Sequence, residues 1–74
     1  MVDHKIVAKF SKLSRPKQEM VILDRDSVAD VMRNNLAADI VNGRYGLSNV
    51  TRQVIAIEDY EATTRHMRMI MKSI

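Results

Sequence analysis

The chain of 74 residues has no cysteine and no tryptophan, one proline, two glycines and three aromatic side chains. Without cysteine, disulfides, thiol catalysis and thiolate metal sites are excluded. So few glycines and aromatics argue against a fold rich in β-hairpins. No GxGxxG, GxxxxGK or GxSxG pattern occurs, so neither a phosphate cradle nor a nucleophile elbow can be built, and the chain reads as a non-enzyme without cofactor. His4 and His66 stand at opposite ends and in no HxxxH or HExxH spacing, and Asp24, Asp26 and Asp30 lack the third carboxylate and glycine of a calcium loop. No metal site is expected. The start MVDHKIVAKF carries an acid and no apolar run of signal or membrane length, which implies a cytoplasmic protein with no membrane partner. The sequon Asn49-Val50-Thr51 would matter only after secretion.

What is present is a mild excess of base, net +3 with a pI near 9.6. Its distribution is uneven. Lys5, Lys9, Lys12, Arg15 and Lys17 dominate the first twenty residues, acids dominate the next stretch, and residues 43–57 carry Arg44 and Arg52 with no acid. An anionic partner fits such a stretch, as does ordinary surface charge.

A chain this short holds one domain, residues 1–74, with a thin core. Asp26 is a good N-cap for a helix running to Asn42, with Val28, Val31, Met32, Leu36 and Ile40 on one stripe and Gly43 as its left-handed cap. Behind the turn, Ser48 or Asn49 can cap a second helix with Leu47, Val50, Val54 and Ile57 on one face; a strand from Thr51 to Ile57 is the competing reading. The tail from Glu58 has acids early and bases late, which suits a helix, although Met67, Met69 and Met71 also alternate as in a strand. Residues 1–24 fit both templates, with Ser14-Arg15-Pro16 resembling a capped helix start. The expected fold is a small all-α bundle; the alternative is α+β with a small sheet.

LAADIVNGRYGLSNVTRQVIAIE resembles the helix-turn-helix of bacterial and phage transcription regulators, with Tyr45-Gly46-Leu47-Ser48 matching the tight turn and Val41, Tyr45, Leu47 and Ile55 at its buried positions. Arg52 stands where an aliphatic is expected and Asn42 where alanine or glycine is usual. The resemblance places a helix-turn-helix at about residues 27–57. It implies a homodimeric regulator bound to double-stranded DNA. Asn49, Arg52, Gln53 and Ala56 would then read bases, because Arg matches guanine, Asn and Gln match adenine, and Ala can touch the thymine methyl. Arg44, Ser48 and Thr51, with Lys12, Arg15 and Lys17, would hold phosphates. Met67, Met69, Met71 and Ile74 offer an adaptable dimer interface. Two other readings stay open. GRYG, flanked by strands from Glu19 to Asp24 and from His66 to Lys72, is similar to a minimal KH module for single-stranded RNA. A small basic chain without catalytic motifs also fits a phage-encoded regulator that binds and inhibits a host protein such as the transcription machinery.

Overall fold

A computed structural model describes residues 1–44 and 46–73. The readings of Tyr45 as a buried turn residue and of Ile74 as an interface residue lie outside the described residues. Three helices follow one another: α1 (His4–Ser11), α2 (Arg15–Val41) and α3 (Leu47–Lys72). No strand occurs among the described residues, so the all-α expectation holds. Glu19–Asp24 and His66–Lys72, the strands a KH-like sheet needs, lie inside α2 and α3. The α+β alternative is thereby corrected.

Each boundary has a local cause. Asp3 caps α1 by accepting from the amides of Lys5 (3.1 Å) and Ile6 (3.3 Å). Ser14 is extended, and Pro16 sits in the first turn of α2, where its missing N–H costs nothing. Asp26 is not a cap: α2 passes through it without a break, since no glycine or proline interrupts residues 17–42, and its carboxylate pairs instead with Arg68 across the hairpin. Gly43, at φ 77°, ends the helix in a Schellman arrangement, with the Gly43 amide donating to Ile40 O (3.2 Å) and the Arg44 amide to Asp39 O (2.7 Å). A Cβ at Gly43 would meet nothing within 4 Å, so the cost of a side chain there is conformational alone. Gly43→Ala should therefore lower stability by about 1–2 kcal/mol, and Gly43→Asn by less, in denaturant unfolding curves.

α3 begins at Leu47 with Gly46 as N-cap, and not at Ser48 or Asn49. It continues through the Thr51–Ile57 segment and the tail as one helix, because nothing between Ser48 and Ser73 breaks it.

The two long helices lie antiparallel along a heptad seam. Gln18, Ile22, Arg25, Ala29, Met32, Leu36 and Asp39 of α2, and Val50, Gln53, Ile57, Tyr60, Thr64, Met67 and Met71 of α3, follow alternating steps of three and four, and every one is buried or half-buried. Bonds across the seam fix the register. Arg15 donates to Met71 O (3.0 Å), Arg25 to Thr64 Oγ1 (2.8 Å), Arg33 to Glu61 (2.8 and 2.5 Å) and Gln53 to Asp39 (2.8 Å). Partners that climb one helix as they descend the other define an αα-hairpin. The DNA-binding motif instead crosses its helices at roughly 90–120°. The segment expected as a helix-turn-helix, about 27–57, forms the distal part of this hairpin.

The molecule is built unevenly along its 45 Å length. At one end α1 lays Val7 and Phe10 on Ile22 and Met67, with Val2, Val21, Ile70 and Met71 around them. Gln18 seals this head by donating to Phe10 O at 3.1 Å. Beyond Ala29 and Ile57 the hairpin runs on as two helices without a third. Among the described residues from Asp30 to Ala56, none is buried. That corrects the sequence stripes: Met32, Leu36, Val50 and Ile57 face the seam, whereas Val28, Val31, Ile40, Leu47 and Val54 are exposed, because a lone helix pair has only one narrow line of contact.

Candidate interaction site

Five exposed apolar side chains of this two-helix arm lie toward its tip, and a sixth, Val31, stands farther back on α2. Ile40 and Val41 end α2, Leu47 begins α3, and Val54 and Ile55 follow about two turns later; Val41 and Leu47 are 83% and 84% exposed. Leu47, Ser48, Thr51, Arg52 and Ile55 line a shallow depression on one face of α3. The cluster carries two bases at its margin, Arg44 and Arg52, while Asp39 is engaged: it accepts from Gln53 and lies 3.3 Å from Arg44.

These contacts decide what the expected DNA-reading residues can reach. Asn49 donates to Arg44 O (3.1 Å) and accepts from Gln53 (3.2 Å), and Gln53 also donates to Asp39. Asn49 and Gln53 are thus brought together, but as a lock that closes the turn onto the seam. Arg52 is exposed and free of ion pairs among the described residues. Ala56 lines a different groove, the one beside α1 with Tyr60 and Thr63. The four do not form one reading face. The phosphate set also divides. Arg44, Ser48 and Thr51 lie at the tip, while Lys12, Arg15 and Lys17 lie at the head, about 40 Å away along α2. Arg15 is further occupied with Met71 O and Glu19.

The methionines expected at a dimer interface differ in where the structure places them. Met67 is fully buried in the head core and Met71 is half-buried in the seam, both at heptad positions; Met69, between them, is 66% exposed.

Sequence reasoning missed the polar groups that occupy the seam. Arg25 is buried with no carboxylate partner among the described residues, held by Thr64, by Tyr60 O at 3.1 Å and by the Tyr60 ring, 3.8 Å below its guanidinium carbon. Thr64 in turn donates to Tyr60 O at 3.0 Å. Flanking the seam, Asp26 pairs with Arg68 and Arg33 with Glu61. The hydrogen bonds that Arg33 donates to Glu61, and then the charge of Glu61, raise the Arg33 guanidinium above its ordinary range. That contribution is complete below the ordinary arginine pKa and is lost only when pH rises through the raised one, so it is constant near neutrality. A signal existed: Asp26 and Arg33, like Glu61 and Arg68, are seven residues apart with charges that match when the helices run antiparallel.

His4 and His66, distant in sequence, meet edge to face with centroids 5.9 Å apart. No group of three or more metal-binding side chains occurs among the described residues, and no described helix is long and apolar enough to cross a membrane. Comparison of the chain with protein-family models, curated proteins and solved structures finds no match.

Proposed function

We propose that this chain is a small non-enzymatic regulator, working in the cytoplasm through protein–protein contact made by the distal arm of its hairpin. One observation carries this reading: Ile40, Val41, Leu47, Val54 and Ile55 are all exposed at one end of the molecule, on a segment in which no described residue is buried. Scattered exposed apolar residues are ordinary, but a contiguous patch on a small domain marks a contact surface. Apolar side chains are exposed at the head too, among them Met20, Leu23 and Met69, but there α1 braces the long helices over a buried core. A photoreactive side chain placed at Leu47 should form adducts with protein in cells, while the same group at Lys17 should not. Equal labelling from both positions, or none from Leu47, contradicts the reading.

DNA binding is the second reading, favoured by the exposed Arg44 and Arg52 in a stretch without acid. It requires duplex-induced amide shifts focused on Arg44–Ala56 at ~0.15 M salt, weakening steeply as salt rises. The internal bonding of Asn49 and Gln53 favours protein contact over base reading.

A further inference from the structure

Beyond the arm and its protein contact, we infer that the outer face of the head docks on the phosphate backbone of a nucleic-acid duplex without reading its sequence. The two cationic residue types are used differently in this molecule. Arg15, Arg25, Arg33, Arg44 and Arg68 are each tied to a carboxylate, a carbonyl or a hydroxyl within the hairpin. Among the described residues no lysine makes an ion pair. Four of the five lysines fall within residues 1–17.

Helix geometry places these four together. Lys5, Lys9 and Lys12 follow steps of four and three and share one side of α1. Val7 and Phe10, on the opposite side, are buried in the head core. Lys17 stands one turn before Val21, which packs on that core, and so joins the other three from the α1 side of α2. All four are exposed. Of the acids in residues 1–24, Asp3 caps α1 and Glu19 lies 3.6 Å from Arg15, which leaves Asp24 alone unpaired among the described residues.

The chemistry of this face selects its partner. Lysine meets phosphate as a point charge, whereas gripping a base edge with two bonds suits arginine, asparagine or glutamine. Arg15 is held by Met71 O and Gln18 is buried against Phe10 O, so the face offers charge and not base reading. Protein interfaces are depleted in lysine and anchored by aromatic, methionine or arginine side chains. A helix lying in a bilayer surface needs its apolar side free, and that of α1 is enclosed with Ile6 exposed at its margin. Single strands need aromatic platforms, and Phe10 is buried. From Lys5 to Lys12 the helix rises about 10 Å, enough to pass about three phosphates of one duplex strand at about 3.4 Å of axis each.

The test is binding of the full chain to a fluorescently labelled, mixed-sequence DNA duplex, followed by anisotropy between ~0.05 and ~0.2 M salt. The logarithm of the binding constant should fall with that of salt at a slope of about −3 to −4, as for four contacts, an affinity loss of about a hundredfold. Lys9→Gln and Lys12→Gln should each flatten the slope by about one, and Lys9→Arg should keep it, while Arg52→Gln at the tip should leave it unchanged. Circular dichroism should show every variant folded, since these side chains are exposed. Two duplexes of unrelated sequence should bind alike. The proposal is overturned by no binding at ~0.05 M salt, by a slope that follows Arg52 and not the lysines, or by amide shifts on residues 44–56 in place of 5–17. Binding to vesicles of phosphatidylserine and phosphatidylcholine without binding to duplex overturns it equally. Photo-crosslinking from position 47 reports on the arm alone, so either reading can fail without the other.

Discussion

Phe10→Ala should cost about 3–5 kcal/mol, the range for deleting a buried phenylalanine side chain. Phe10 is 2% exposed and packs with Val7, Ile22 and Met67 in a core cluster where all three helices meet. A domain of this length has about 4–11 kcal/mol of stability in total, so one substitution should remove from about a quarter of it to all of it. The reason is the uneven construction of the molecule. Core volume is concentrated in the head, and the surrounding helices cannot collapse into the hole without shifting Met67, which is fully buried. Leu47→Ala, at a side chain 84% exposed, should by contrast change the stability of the isolated chain by no more than about 0.5 kcal/mol. Urea unfolding of the two variants at low protein concentration checks the contrast. Equal losses would mean that the tip belongs to the fold and not to a contact surface.

The next largest effect is expected at Arg25. Arg25→Ala should lose about 2–3 kcal/mol, through the emptied volume of the side-chain stem and the lost contact with the Tyr60 ring. It leaves no orphaned acceptor, because Thr64 Oγ1 already donates to Tyr60 O. Arg25→Met should be far milder, within about 1.5 kcal/mol of the parent in either direction. The methionine keeps most of the stem's packing and removes a buried charge that no carboxylate offsets. Thermal unfolding of both variants decides the matter. Should Arg25→Met fall as far as Arg25→Ala, the guanidinium itself, with its bonds to Thr64 and Tyr60, carries the stability of the seam. The proposed purpose of that charge is register: a heptad seam with few large apolar residues can slip, and Arg25 with Tyr60, like Asp39 with Gln53, satisfies its polar groups in one alignment only.

Those polar seam residues also explain what the sequence could and could not tell. Helical content was legible: the chain has almost nothing to break a helix, Ser14-Arg15-Pro16 begins α2 and Gly43 ends it. The arrangement of the helices was not. Hydrophobic periodicity identifies the face that is apolar, and here the buried face carries Gln18, Arg25, Asp39, Gln53 and Thr64, while Val31, Val41, Leu47 and Ile55 lie outside it. A stripe drawn through Val28, Val31 and Ile40 therefore pointed to solvent. The glycine-rich turn resembled a helix-turn-helix because a tight turn needs the same residues whether the next helix crosses or returns. Only long-range pairing separates the two, and the spacing of Asp26, Arg33, Glu61 and Arg68 was where that information lay.

The division of labour between a folded head and a thinly packed arm is tested most directly by amide hydrogen exchange, resolved by residue. Amides of residues 30–56 should exchange through local opening well before those of the head around Phe10, Ile22 and Met67. Uniform protection along both long helices would contradict it: the hairpin would then be a single stable unit with no weaker arm.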